Sequence, residues 1–531
     1  MSVRNGNGVK QRSRNKTPEV SAKRGQRQSA EVPDSKGGSR RSTLESDNNT
    51  TTSDDGSTGG ISKAGTGYRG LFLPPQGARN LAFYEYHAVP PTLTDQFLNP
   101  YWTMAANLIP TWISPNAVTL SGMIAQMSAA ALFVGHYCDA WDAPLCKAAG
   151  LALGSTEDIC VTGPASSVRH LHGASKLYLA PNTRYIADLL VYTYAIVCMV
   201  YYHIADAADG KHARNTGQCS PLGALFDHAC DAWATLFIFL CSTCSIFLRL
   251  PNEAPGATSV YDPRTHAVVS TIIFFYHFAV FGSFFGGQWF HLHTGTLDTA
   301  NVSEGQFGYI LLLLCMMQPS LREASRTNYI DVPWGAESFR VEYMTIALVL
   351  SAAMPLYVIG SAAFQVFRTV GFRKSICTFV VPMGINCFQS AVLFFLVPLM
   401  WEEHMLKLFL FMSVVSVYLS LRCIVCQLCA IRYTKTNMEC YLPVTLPICA
   451  FAYFCSDMHG DAQFNSAENR SFLIYWLLFY MCGLTLFFMA DVIATICSTL
   501  RVPFLAPLKK PWKRTNFENR DRFPKNVKKG Q

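Results

Sequence analysis

The sequence predicts an all-α polytopic membrane protein with about ten transmembrane helices, on three observations. Half of the 531 residues are hydrophobic, 13% are aromatic and only 15% are charged, a balance too apolar for an ordinary water-soluble domain. About ten apolar runs are long enough, or nearly so, to cross a bilayer, starting near 116, 185, 222, 268, 307, 343, 375, 406, 441 and 472. The net charge of +8 is carried by the two tails and by short loops between these runs. That distribution suits a membrane topology and argues against a nucleic-acid surface.

In chain order, residues 1–70 are rich in Ser, Thr, Gly, Asn, Lys and Arg without apolar periodicity, which reads as a disordered basic cytosolic tail. The tail has no apolar h-region, so it is not a secretory signal peptide. From Tyr84 to Trp112 the chain is aromatic and amphipathic, as expected of a helix lying at the membrane interface. Between the first two runs is a polar insertion, Asp139 to Arg184, with Cys146 and Cys160, which can pair if the insertion is lumenal. His170 and His172 within it read as solvated loop residues.

Basic segments at Lys211–Arg214, Phe367–Lys374 and Ile431–Lys435 fall on one side with both tails. Trp401–His404 and the polar loop near 460 fall on the other. The positive-inside rule then puts both termini in the cytosol, with an even number of spans; the membrane is expected to be an endomembrane such as the endoplasmic reticulum. Gly282 and Gly286 form a GxxxG pattern that marks close helix packing. Most of the 19 cysteines lie in apolar runs and read as small buried hydrophobes. Cys423, Cys426 and Cys429 share zinc-like spacing, but within a lipid-spanning run. Residues 501–531 form a second basic cytosolic tail.

The chemistry is concentrated in DAADGKHARNTGQCSPLGALFDHACD, residues 206–231, between the second and third runs. Read as helix, Asp206 and Asp209 are three apart and Asp227 and Asp231 four apart, so each pair shares one face. Carboxylates at a membrane boundary are costly unless they serve a metal, a proton path or a substrate. Two facing helices can bring all four together, a donor set for a hard cation such as Mg²⁺ or Mn²⁺ that also ligates phosphate. Gly210 lets a ligand approach the backbone, Ala213 is small, Arg214 offers a planar fork for phosphate, and Gly223 lies on the face of the second pair. At ordinary residue frequencies the full pattern arises by chance about 10⁻¹⁰ times per starting position.

This pattern, D-x2-D-G-x2-A-R-x8-G-x3-D-x3-D, resembles the signature of the CDP-alcohol phosphotransferase family. The segments SPLGALFDHACDAW and YWTMAANLIPTWISPNAVTLSG are similar to the eukaryotic choline and ethanolamine phosphotransferases within it. The resemblance implies transfer of phosphocholine or phosphoethanolamine from CDP-choline or CDP-ethanolamine to diacylglycerol at the bilayer, with release of CMP. It also implies that Asn116 and Thr119 lie near the nucleotide, and that Glu304, in the acidic-x-Gln motif with Gln306, closes the site from beyond the fourth span. The implied organisation is a catalytic region at 84–310, comprising the amphipathic helix, the first four spans and the loop that follows, then C-terminal spans at 311–500. Those last spans are expected to supply an acyl-chain pocket and the subunit interface of a homodimer.

Three groups compete as the base that takes the acceptor's proton. Asp231 is the family-wide candidate, His228 has the unperturbed pKa best suited to proton transfer near neutrality, and Glu304 lies on a segment that could fold over the site. His212, Asn215, Ala224 and Ala229 stand where the family pattern has other residues, and they are expected to bear on headgroup preference by flanking the pocket. Two other classes fit less well. The first is a transferase with inositol or glycerol phosphate as acceptor. The second is a transporter, which would be expected to show internal repeats with interrupted helices.

Overall fold

The computed structural model describes residues 70–84, 91–153, 159–164, 175–253, 263–297, 302–334, 337–433, 438–455 and 465–512, within one unit, Gly65–Gln531. In chain order these form α1 (Pro75–Leu81), α2 (Leu93–Leu108), α3 (Pro115–Tyr137), α4 (Asp142–Leu153), β1 (Cys160–Pro164), β2 (Ser175–Leu179), α5 (Pro181–Thr216), α6 (Pro221–Phe247) and α7 (Pro263–Thr294). There follow α8 (Val302–Met317), α9 (Pro319–Thr327), β3 (Tyr329–Trp334), β4 (Glu337–Glu342), α10 (Tyr343–Ser351), α11 (Ala353–Thr369), α12 (Phe372–Phe395), α13 (Pro398–Leu428), α14 (Met438–Cys455) and α15 (Ala467–Leu500). The strands make two antiparallel hairpins, with Cys160 opposite Leu179 and Tyr329 opposite Glu342, and the fold is otherwise helical.

All ten apolar runs are helices. Among the described residues eight segments are long and apolar enough to cross a membrane, while α8 and α14 are apolar but shorter. At 1.5 Å per residue the 16 residues of α8 reach about 24 Å, short of a hydrocarbon core of about 30 Å. The run at 343 is one span made of α10 and α11; Pro355, lacking an N–H, sits in the first turn after the break. Residues Trp401–His404, read from the sequence as a loop, belong to the start of α13, which kinks at His404. There Glu403 takes a paired contact from Arg470 of α15, at 2.5 and 2.8 Å.

The second half is built around α13, 89% of whose most apolar window is buried, against 11% for the peripheral α10–α11 span. Gly282 and Gly286 of α7 face α11, where a Cβ on Gly282 would lie 3.2 Å from Ile359. The GxxxG pattern thus serves close packing within the chain. The stretch before α1 is held by a carboxylate inside the bundle. Asp491 of α15 accepts the Leu71 and Phe72 N–H groups at 3.0 and 2.9 Å.

In the insertion between α3 and α5, Cys146 and Cys160 form a disulfide; His170 and His172 lie outside the described residues. Beneath it, the far end of the α3–α5–α6 bundle is sealed by a buried ionic network. Asp188 receives Arg322 at 2.6 Å, His136 at 2.6 Å and Arg184 at 3.3 Å, and Arg184 also meets Asp139 at 2.6 Å. Arg326 donates to the carbonyls of Ile246 and Leu248 at 3.0 and 2.6 Å, satisfying acceptors that the end of α6 leaves open.

Candidate active site

The helices that carry the two aspartate pairs are joined by a tight turn. Gly217 ends α5 in the left-handed conformation, φ +66°, which only glycine adopts without strain, and the Gln218 N–H bonds back to Ala213 O at 2.8 Å. Ser220 then caps α6 by accepting the Gly223 N–H at 3.2 Å, with Pro221 preset for the first turn. Both helices pack on α3 far more than on each other. Their facing sides therefore stay apart, and the carboxylates project between them. A Cβ on Gly122 of α3 would lie 3.2 Å from Ala205 and from Tyr202, so this glycine lets α5 approach α3 closely.

Asp206, Asp227 and Asp231 each present a carboxylate oxygen within 4.8 Å of the others. At the effective dielectric of a protein boundary, each ionised pair at that separation repels by about 3 kcal/mol. No Lys or Arg partner offsets this among the described residues. Asp227 Oδ1 is buried and has no hydrogen-bond partner there either. Three half-buried carboxylates with an orphaned oxygen and no Lys or Arg counter-charge among the described residues match the donor set of a hard divalent cation. Tyr202 of α5 donates to Asp231 Oδ1 of α6 at 2.6 Å and orients that carboxylate across the gap.

Asp209, the fourth predicted ligand, is not in this group. Its Oδ2 accepts the hydroxyl proton of Thr119 from α3. His228 lies beside the cluster, its Nδ1 3.7 Å from Asp231 Oδ2. Asn116 Oδ1 faces Gly223, 3.6 Å from where a Cβ would sit. Gly210 stands a turn before Arg214, whose guanidinium is exposed at the last turn of α5, with Ala213 half-buried beside it. Glu304 stands in the first turn of α8, outside the carboxylate group, with Oε2 buried and unpartnered among the described residues. Its helix is tied to α5 because Gln306 Oε1 pairs with His203 Nδ1, and His203 packs between Trp102 of α2 and Phe307, at 5.5 and 5.6 Å between ring centres.

Tyr202 and His203 are absent from the sequence prediction, although they lie four and three residues before Asp206 and so on its helical face. His212 and Asn215, expected to flank the pocket, each have a partner in α2 or in the connection that follows it. Buried His212 bonds the Ile113 carbonyl at 2.9 Å, and Asn215 bonds Asn107 of α2 at 2.9 Å. Both hold α2 and its connection against the end of α5. The outward face of α2 exposes Leu93, Phe97, Tyr101, Met104 and Leu108, an apolar stripe at helical spacing.

Residues 179–288, which contain all four aspartates, match the CDP-alcohol phosphatidyltransferase family. Among similar proteins, cholinephosphotransferase 1 of Gallus gallus is 27% identical over 176 residues, 33% of this chain and 40% of that one. Cholinephosphotransferase 1 of Mus musculus is 26% identical over 239 residues, 45% of each chain. Choline/ethanolaminephosphotransferase 1 of Saccharomyces cerevisiae is 25% identical over 248 residues, 46% of this chain and 47% of that one. The chain thus spans less than half the length of each of these relatives. The match to the CDP-alcohol phosphatidyltransferase family thus falls on the part of the chain in which Asp206, Asp227 and Asp231 converge between α5 and α6.

Proposed function

We propose that the protein transfers phosphocholine or phosphoethanolamine from CDP-choline or CDP-ethanolamine to the hydroxyl of diacylglycerol, giving phosphatidylcholine or phosphatidylethanolamine and CMP. The observation that carries this reading is the carboxylate group of Asp206, Asp227 and Asp231, which lacks a Lys or Arg counter-charge among the described residues and lies within the matched domain. Asp206, Asp227 and Asp231 would hold a divalent cation, Mg²⁺ or Mn²⁺, with Asp209 joining from its Thr119 contact. When bound, such an ion neutralises the diphosphate and makes CMP a better leaving group.

The chain's own residues do the rest. Arg214 takes a phosphate oxygen, and Gly210, Ala213 and Gly223 leave room for the nucleotide beside Asn116. The acceptor hydroxyl loses its proton as its oxygen bonds to the β-phosphorus and the bond to the CMP phosphate breaks. His228 is placed to take that proton, with Asp231 3.7 Å from its Nδ1 to stabilise the imidazolium. Glu304 serves the cationic headgroup. The active site and both termini face the cytosol of the endoplasmic reticulum, and the last spans pair two copies of the chain.

The test is CMP release by purified protein with each CDP-alcohol and diacylglycerol. Turnover is expected with Mg²⁺ or Mn²⁺, loss in EDTA and return on re-addition; full turnover in chelator would sink the metal assignment. His228→Ala should lower kcat by about 10² to 10⁴-fold with the CDP-alcohol KM little changed. Glu304→Gln should chiefly raise that KM, more for one headgroup than the other. A His228→Ala enzyme of near wild-type kcat passes the base to Asp231 or Glu304.

A further inference from the structure

Residues 501–512 open the segment 501–531 that the sequence predicts to be a basic cytosolic tail. They leave α15 through Arg501, at φ +56°, and run back over the bundle end that carries the aspartates. Ser114 Oγ donates to the Leu505 carbonyl at 2.6 Å, and Asn116 Nδ2 donates to the Phe504 carbonyl at 2.8 Å. The Phe504 ring packs edge-on against Phe226 of α6, with 4.8 Å between ring centres. Pro511 reaches the α5–α6 turn, its Cγ 3.5 Å from the point where a Cβ on Gly217 would sit.

These four contacts join the first turn of α3, the first turns of α6 and the turn between α5 and α6. The same pieces carry Asn116, Thr119, Gly223 and Asp227. A carbonyl oxygen accepts only, so the Phe504 contact fixes which end of the Asn116 amide faces the segment. The other end, Oδ1, is thereby turned toward Gly223 as an acceptor. Without that tie the amide could rotate, and the nucleotide would have to fix it on binding, at a cost in affinity.

We propose that residues 504–511 form a positioning strap for the CDP moiety: they hold Asn116 and the first turns of α3 and α6 in their nucleotide-binding arrangement without touching the reacting atoms. The inference rests on the reading of the site as one for a CDP-alcohol. It assigns a function to the segment after the last span, which lies more than 380 residues from Ser114 and Asn116 in sequence.

The test uses full-length protein in detergent, with CMP plus Mg²⁺ as the probe, after CMP release by the wild type has been established. Phe504→Ala is expected to raise both the CMP dissociation constant and the CDP-alcohol KM about tenfold, equivalent to about 1.4 kcal/mol. Its kcat should stay within about twofold, the diacylglycerol KM should not move, and Phe504→Leu should recover most of the loss. An active wild type with unchanged CMP affinity in Phe504→Ala overturns the strap alone. So does an equal fall in kcat and rise in both KM values, the mark of a merely structural role. A wild type that releases no CMP from either CDP-alcohol overturns the functional reading, and the strap with it. Should Phe504→Ala fail to fold, the wild type decides: CMP with Mg²⁺ should slow tryptic cleavage after exposed Lys509 by about fivefold or more, since ligand suppresses local opening. Equal cleavage rates overturn the proposal.

Discussion

The two ends of α5 hold similar side chains in opposite circumstances. At one end Asp188 is fully buried yet meets Arg184, Arg322 and His136 within 3.3 Å. At the other, Asp206 stands with Asp227 and Asp231 without a Lys or Arg partner among the described residues. Burying an ion is costly unless it is paired, so where the protein supplies its own counter-charge the carboxylate serves structure. Where the described residues supply no Lys or Arg, the carboxylates stand ready for the positive charge of a ligand. Counter-charge, more than acidity or position in a helix, separates a site from a staple in this bundle.

Four substitutions test that contrast, in decreasing order of expected effect. Asp227→Asn should lower kcat/KM by about 10⁴-fold, or about 5 kcal/mol, while folded protein accumulates as before, because one source of like-charge repulsion has gone. An active Asp227→Asn enzyme would break the comparison. Arg322→Leu removes a partner of Asp188 and should lower unfolding stability by about 3–5 kcal/mol, measured by thermal unfolding in detergent, with KM values of the surviving enzyme unchanged. Cys146→Ser opens the insertion on the network side, and loss of a loop of this length should destabilise it by about 3 kcal/mol without changing metal dependence. Thr119→Val deprives Asp209 of its hydroxyl partner and should cost about 1–3 kcal/mol in apparent cation affinity, read as a shift in the Mg²⁺ concentration giving half-maximal rate.

Much of this was legible in the chain. Period and length revealed the ten helical runs, because a segment crossing hydrocarbon must be apolar almost throughout. The spacing of the four aspartates showed that each pair shares a face. The residues missed at the site, Tyr202 and His203, were hidden because an aromatic residue in an apolar run looks like a lipid contact until its partner is known. The ionic network was hidden for a similar reason: Asp188 and Arg322 are 134 residues apart, and only packing brings them to 2.6 Å.

The sequence by itself determined the membrane class, the helices and the aspartate signature, since these follow from local composition and fixed spacing along one helix. Tertiary structure alone decided the rest. It set Asp206, Asp227 and Asp231 together and Asp209 apart with Thr119, because α5 and α6 both lean on α3. It turned Trp401–His404 from a loop into a helix end, and a basic tail into a segment bound to Ser114 and Asn116. Each of these depends on which distant groups meet, and a charge or amide acquires its role only from the partner that packing gives it.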